Sequence, residues 1–406
     1  MEMFYLELII AFALGIFGGV ITGLIPGLHV NLLSVLVVSF SPLFLLYVSP
    51  VTLGVFIISL AISQSFLNNI PGIYLGAPEA GLELNVLPGH RLLLKGEGHN
   101  AVVYTLIGSL GSLLLGMILF PFFIWSMVRM ADFVQLIVGY LLIIIIAYMI
   151  LKEKGLNKKL ASTAAFFLSG TLGIIIFSLP GLNQPLLPLL SGLFGISLLF
   201  LSLFQKSNIP EQDFTRPLTI TKDKTIKSIS AATGAGFLAA FLPGFGSSQA
   251  AIMATNVVGD IGDEGFLSLV GGINTANMLI SLAAAYVLDK ARNGAIVAVN
   301  SIMGGIGLSE MLLFLAVSLA AGGVATILTL KFSKLFAHYI TKVNYRLLIK
   351  IIIVFIAGLT FYFDGFMGLL ILLTATALGL YTSYLNVGKN HLMGCLILPV
   401  ILYFVL

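Results

Sequence analysis

Four short polar stretches interrupt an otherwise apolar chain, and their residue types suit an anion held beside a small cation. IPGLHVNLL places His29 and Asn31 just after Pro26 and Gly27, and LPGFGSSQA places Gly246, Ser247, Ser248 and Gln249 just after Pro243 and Gly244. GGINTANMLIS carries Asn274, Thr275 and Asn277, echoed in the first half by Ser63, Gln64, Ser65, Asn68 and Asn69 of ISQSFLNNIPG. Amide and hydroxyl oxygens can surround sodium, and the N–H and O–H groups of the same side chains can donate to a carboxylate. A histidine among them can bind substrate or relay a proton. Polar side chains inside a membrane helix cost free energy unless they meet a partner, so such clusters mark either a site or hydrogen bonds that glue helices together. Ser247 also has a plainer reading, as a helix N-cap.

The elements that must position these residues are broken helices. Proline removes a backbone donor and crowds the preceding turn, while glycine admits angles that other residues resist. The helix arriving from Ser228 is therefore expected to end at Pro243 and Gly244, and a new one over 248–258 to start with Ser247 as its cap. Pro26 and Gly27 repeat the device, and Pro71 with Gly72 is a third expected break. In hydrocarbon, freed backbone groups persist only where protein or a water-filled cavity satisfies them. A helix that starts at such a cavity aims its N–H groups and positive dipole end into it, which favours an anion. Breaks at corresponding places in two halves point to a repeat-built transporter with its site between the repeats.

Composition sets the class. Of 406 residues 59% are hydrophobic and only 9% charged, with mean hydropathy +1.11, against about 25% charged in a soluble domain. The expectation is an all-α polytopic membrane protein of about ten transmembrane segments, multi-pass in the cytoplasmic membrane. Its two inverted repeats, with broken or re-entrant helices, cover 1–204 and 228–406, joined by a cytoplasmic linker over 205–227. Spans are expected at 4–25, 30–48, 50–68, 101–127, 133–151, 160–182 and 184–204, then 228–258 as a broken pair, 266–288, 295–303, 308–330, 347–363, 369–384 and 392–406. Residues 69–100 read as packed irregular structure, partly re-entrant, ending in an exposed turn at 95–99. The first residues carry no basic stretch and no small-residue cleavage site, so the first apolar run is expected to remain as a helix.

Charge placement supplies orientation. Lys152, Lys154, Lys158 and Lys159, then Lys206, Arg216, Lys222, Lys224 and Lys227, then Lys331, Lys334, Lys342, Arg346 and Lys350 form three basic clusters that are expected to face the cytoplasm. Spread over membrane-flanking loops, they do not make a nucleic-acid platform. His99 reads as a surface residue, Arg91 as a surface charge or a substrate contact, and Arg292 as a partner of Asp289; Glu79 and Glu83 read as structural. Cys395 stands alone, which excludes a thiolate metal site, and His29, His90, His99, His338 and His391 form no ligand pair on one helix face. Neither H-E-x-x-H nor a phosphate-binding G-x-x-x-x-G-K-[ST] is present. GFGSSQ lacks the G-x-S-x-G pattern of a serine nucleophile, so an intramembrane enzyme is a weak alternative.

The order IPG, ISQSFLNNIPG, a KGEGHNAV turn, LPGFGSSQA and INTANMLIS resembles the large permease subunit, TctA, of tripartite tricarboxylate transporters, over both halves. Asn274, Thr275 and Asn277 match the Asn-rich helix of that family. The chain is similar to a compact, divergent, archaeal-type member, and where the family carries a second IPG after that helix it reads SLAAAYVLDKARNG. The resemblance implies secondary transport of organic carboxylates and cooperation with a small membrane subunit and an extracytoplasmic binding protein. The expected function is uptake of a di- or tricarboxylate by alternating access, with sodium or a proton as coupling ion and no cofactor or metal. A polyprenyl-phosphate flippase using the same helix-end anion site is the alternative.

Overall fold

The computed structural model describes residues 2–25, 30–75, 86–204, 210–242, 246–289, 293–340, 345–385 and 387–405. The expected breaks at Pro26 and Gly27 and at Pro243 and Gly244 fall in the intervals between these, as do Glu79, Glu83 and Arg292. What flanks those intervals is helical on both sides. The first half opens with α1 (Glu2–Leu24), α2 (Val30–Phe44) and α3 (Pro50–Leu67). Ser49 starts α3 by accepting the Thr52 N–H at 3.2 Å, with Pro50 in the first turn, where its missing donor costs nothing.

Pro71 corrects the reading of a third break. A further short helix, α4 (Asn69–Tyr74), contains it, and the interruption falls at Asn68 instead. The missing Pro71 N–H would have paired with the Leu67 carbonyl, one turn earlier, so proline interrupts the ladder behind itself and the helix then resumes. The segment expected to be irregular contributes a second helix, α5 (Val86–Leu94), before α6 (Gly98–Ile118) and α7 (Phe120–Lys152). The α6–α7 junction lies at Leu119, not near 130, because Pro121 cannot continue the α6 ladder.

Next come α8 (Leu156–Ser178), α9 (Leu186–Leu190), a π-helical turn over Ser191–Ile196 and α10 (Ser197–Phe204). The second half follows with α11 (Lys222–Phe241), α12 (Ser247–Val258), α13 (Gly262–Leu288), α14 (Gly294–Met303) and α15 (Leu308–Ile340). It closes with α16 (Tyr345–Tyr384), a 3-10 turn over Lys389–Met393 and α17 (Gly394–Val405). α11 begins six residues before the expected Ser228, since Thr221 caps the Lys224 N–H and Asp223 pairs with Lys227 at 2.8 Å. α16 is two spans joined at Gly365, whose φ of 60° lies outside the helical region. Asp364 fixes that corner by accepting the Asn183 and Gln184 N–H groups at 2.7 and 2.9 Å.

Seven helices are long and apolar enough to cross a membrane among the described residues, with shorter apolar helices beside them. This is an all-α, multi-pass membrane protein. In α3 with α4, and again in α13, 83% of the apolar window is buried, against 22% in α1 and 28% in α16. The first two are therefore the inner helices, and α1 and α16 turn their apolar faces to lipid. Small residues let backbones approach: a Cβ at Gly19 of α1 would lie 2.6 Å from the Leu60 carbonyl oxygen of α3, and one at Gly108 of α6 would overlap the Ser268 carbonyl oxygen of α13.

The described members of the three basic clusters share a face. Ser333 of α15 bonds His99 Nδ1 at 2.9 Å at the start of α6, where Gln212 accepts the Gly98 N–H at 2.8 Å and Arg216 pairs with Glu97 at 2.6 Å. Lys152 bonds Asn256 near the end of α12, next to the α12–α13 turn. That turn's far side carries Glu264, which accepts from Thr219 at 3.1 Å. His99 is thus buried, at 8% exposed, and not a surface residue: the linker over 210–221 lies across it, with Phe214 against its ring.

Candidate functional site

The two halves set up the same local arrangement: a long helix, a break, a half-length helix, a tight turn and an inner helix bearing polar side chains. α12 has 12 residues and α2 has 15, so at 1.5 Å per residue each is only about 17–21 Å long, against about 30 Å for the hydrocarbon core. Each is therefore too short to cross it. The α12–α13 turn is built for reversal: Gly259 (φ 81°) and Gly262 (φ 72°) take backbone conformations that disfavour side chains, and Asp260 accepts the Gly262 N–H at 3.0 Å.

Counting back from that turn fixes the levels. Ser247, the first residue of α12, and Asn274 of α13 both stand roughly 18 Å from it. The expected cap is displaced by one position: Gly246 (φ −88°, ψ 174°) is the N-cap and contributes no side-chain bond, while Ser247 is inside the helix and 6% exposed. The amides of the first turn are thus left without a side-chain cap from Gly246, as an anion-accepting helix end requires. Ser248 and Gln249 occupy the next two positions, and Asn31 the second position of α2. Gly27, His29 and Gly244 lie outside the described residues.

α13 carries the most specific signal. From Leu267 to Ala285 all of its residues are buried except Asn274 and Asn277, which are partly open. Three residues apart, they share a face, and Ser281 continues that face one turn on, donating to the Asn277 carbonyl at 2.7 Å. Thr275 points elsewhere: it is fully buried, and its Oγ1 stands 3.3 Å from Ser65 Oγ of α3. One residue before Ser65, Gln64 accepts the Val30 N–H at 3.1 Å, so the start of α2 is tied to the same turn of α3. Asn68 and Asn69, 8% and 1% exposed, follow within that turn and the next; Asn69 Nδ2 reaches the Ser65 and Phe66 carbonyls and Asn68 Oδ1, each at 3.5 Å.

Three of the four polar stretches therefore touch or share a level, and the α2 helix end is tied to them. Arg91 does not join them: 60% exposed, it pairs with Asp263 at 3.3 Å in a surface bridge. Asp289 accepts from Asn300 Nδ2 at 2.9 Å. The sequence reading underrated Gln64, and the signal that finds it is the count back from the α2–α3 turn, which sets it level with Val30.

Inner helices that carry polar patches, flanked by helices too short to cross the hydrocarbon core, are the architecture of a multi-pass permease. Residues 9–394 match the tripartite tricarboxylate transporter TctA family, and the chain belongs to it. The family is one of transporters, so the protein is a transporter and not an enzyme. The chain is 29% identical over 403 residues to a protein of Methanocaldococcus jannaschii described as uncharacterized, covering 96% of this chain and 97% of the relative. No solved structure matches it.

Proposed function

We propose that the protein takes up a small organic anion, a di- or tricarboxylate, across the cytoplasmic membrane by alternating access of two inverted repeats, driven by a sodium gradient. The observation that carries this reading is the opening at Asn274 and Asn277 within the buried stretch 267–285 of α13, level with the start of α12. Amide N–H donors and a positive helix end face the same depth, which suits a carboxylate. Sodium is favoured over a proton because the groups joined at the α3–α13 contact, Ser65 and Thr275 with Asn68 and Asn69 beside them, are hydroxyls and amides. The family is that of tripartite systems, so a small membrane subunit and an extracytoplasmic binding protein are the proposed partners.

The flippase alternative needs an apolar channel beside the helix ends. An apolar cavity of about 400 Å³ does lie between α1, α2 and α3, lined by α1 from Glu7 to Leu14, by Val37 of α2 and by residues from Phe44 to Phe56. Its nearest lining residues stand roughly 15 Å along α1 and roughly 10 Å along α2 from the helix ends that flank the first break, so the cavity does not reach those ends.

Uptake of labelled citrate, succinate and malate into proteoliposomes, under an inward sodium or proton gradient and with the binding protein added, tests the proposal. Sodium-driven uptake of one of them is the expected result. Absence of uptake in every arm, together with selective binding of polyprenyl phosphate, would overturn it.

A further inference from the structure

We infer that Gln64 is a positioning residue of the anion site, the first-half counterpart of Asn274, and that it sets the place and direction of the α2 helix end; this rests on the transport reading above. The two halves have the same order of elements, so equivalent residues can be found by level. In the second half Asn274 stands level with Ser247, the first residue of α12. In the first half the residue level with Val30, the first residue of α2, is Gln64, and there the level is confirmed by contact: Gln64 Oε1 accepts the Val30 N–H at 3.1 Å.

Both groups are deeply buried, Gln64 at 2% exposed and Val30 at 5%. A buried amide N–H without an acceptor is costly, so this bond holds the start of α2 against α3. The Gln64 backbone is itself clamped from the other side: a Cβ at Gly19 of α1 would lie 3.1 Å from the Gln64 N, and one at Gly23 would lie 3.5 Å from its Cα. One residue therefore joins the helix before the first break, the helix after it and the inner helix. Its neighbour Ser65 reaches Thr275 of the other half, so a shift of the α2 end is passed to the contact between the halves through one turn of α3. A glutamine fits this role because its acceptor is neutral: a carboxylate in its place would also take the N–H, and would repel an anion at the helix end.

Gln64→Glu and Gln64→Met separate these effects. Gln64→Glu keeps the acceptor, so the protein folds and turnover persists. Its KM for the carboxylate rises about tenfold over wild type as pH is raised and the new side chain ionises. Gln64→Met loses the acceptor, and hydrogen exchange of the peptide covering the start of α2 speeds up about tenfold, a change absent in Gln64→Glu. Exchange at α2 unaltered in Gln64→Met, or a KM in Gln64→Glu equal to wild type at every pH, overturns the inference. If wild type itself moves no carboxylate, the transport reading is what fails, and the exchange data alone decide whether Gln64 holds α2.

Discussion

Ser65 Oγ and Thr275 Oγ1 stand 3.3 Å apart although 210 residues separate them in the chain. Each lies in one of the polar stretches that interrupt the apolar inner helices. Their contact brings the inner helix of one half against that of the other. Around it α1, α2, α14 and α15 pack on α3, and α6, α11 and α12 pack on α13. Helices of both halves thus occur in each group. α6 and α13, also from different halves, touch backbone to backbone at Gly108 and Gly271.

Removing both open amides tests the substrate side of the site. Asn274→Ala with Asn277→Ala is expected to lower uptake roughly a hundredfold, taking about 1.4 kcal/mol for each lost hydrogen bond to a charged ligand. Because both side chains are partly open, their truncation leaves no buried group stranded, and the melting temperature in detergent should stay within a few degrees of wild type. Wild-type uptake in the double variant would sink the site assignment.

The cation side is tested at the neighbouring residue. Thr275→Val keeps the shape of the side chain and removes its hydroxyl, which is fully buried and meets Ser65. The expected outcome is a sodium concentration for half-maximal uptake raised by about tenfold, with carboxylate KM at saturating sodium unchanged. A sodium dependence identical to wild type, or uptake driven by pH alone, shows that the coupling ion binds elsewhere.

Much of this architecture is legible in the sequence. The helical class follows from hydropathy, the start of α12 close behind Pro243 and Gly244 from glycine and proline spacing, and the polar character of α13 from its amides at 274 and 277. What the chain hides is register. Pro71 reads as a break, yet its physical effect is one turn upstream at Asn68. Ser247 reads as a cap, but Gly246 takes the extended backbone that a cap needs and leaves Ser247 buried as the first helical residue. His99 reads as surface because its neighbours Lys95, Glu97 and Asn100 are polar, and only tertiary structure lays Phe214 and Ser333 over it. Gln64 is distinguished from its polar neighbours by its level with Val30 across the α2–α3 hairpin, a relation that needs the positions of both helices.

The backbone contact between α6 and α13 predicts a sharp contrast among glycines. A Cβ at Gly108 would overlap the Ser268 carbonyl oxygen, whereas Gly323 of α15 has open space around the equivalent position. Gly108→Val should destabilise by about 3 kcal/mol or more, because a helix backbone must move to admit the side chain. Gly323→Ala should be neutral or slightly stabilising through helix propensity. Thermal unfolding of the purified protein followed by tryptophan fluorescence separates the two. Equal melting temperatures would mean that α6 and α13 do not pack at this distance.

Lys389, at the membrane face after α16, gives a prediction in pH. Its Nζ donates to Ser197 Oγ at 2.6 Å and to the Leu193 carbonyl at 3.5 Å beside the π-helical turn, and burial lowers its pKa to about 7 from the usual 10.5. Because the folded pKa lies below the unfolded one, the unfolded chain holds more protons between these values. Stability therefore rises with pH from about 7 to about 10.5, and the penalty of the buried charge is fully present below pH 7. Lys389→Met removes the titrating group while keeping the apolar stem. Its melting temperature should exceed wild type at pH 6 and converge on it toward pH 10. Parallel curves for the two proteins across that range would show that Lys389 keeps an ordinary pKa in the folded state.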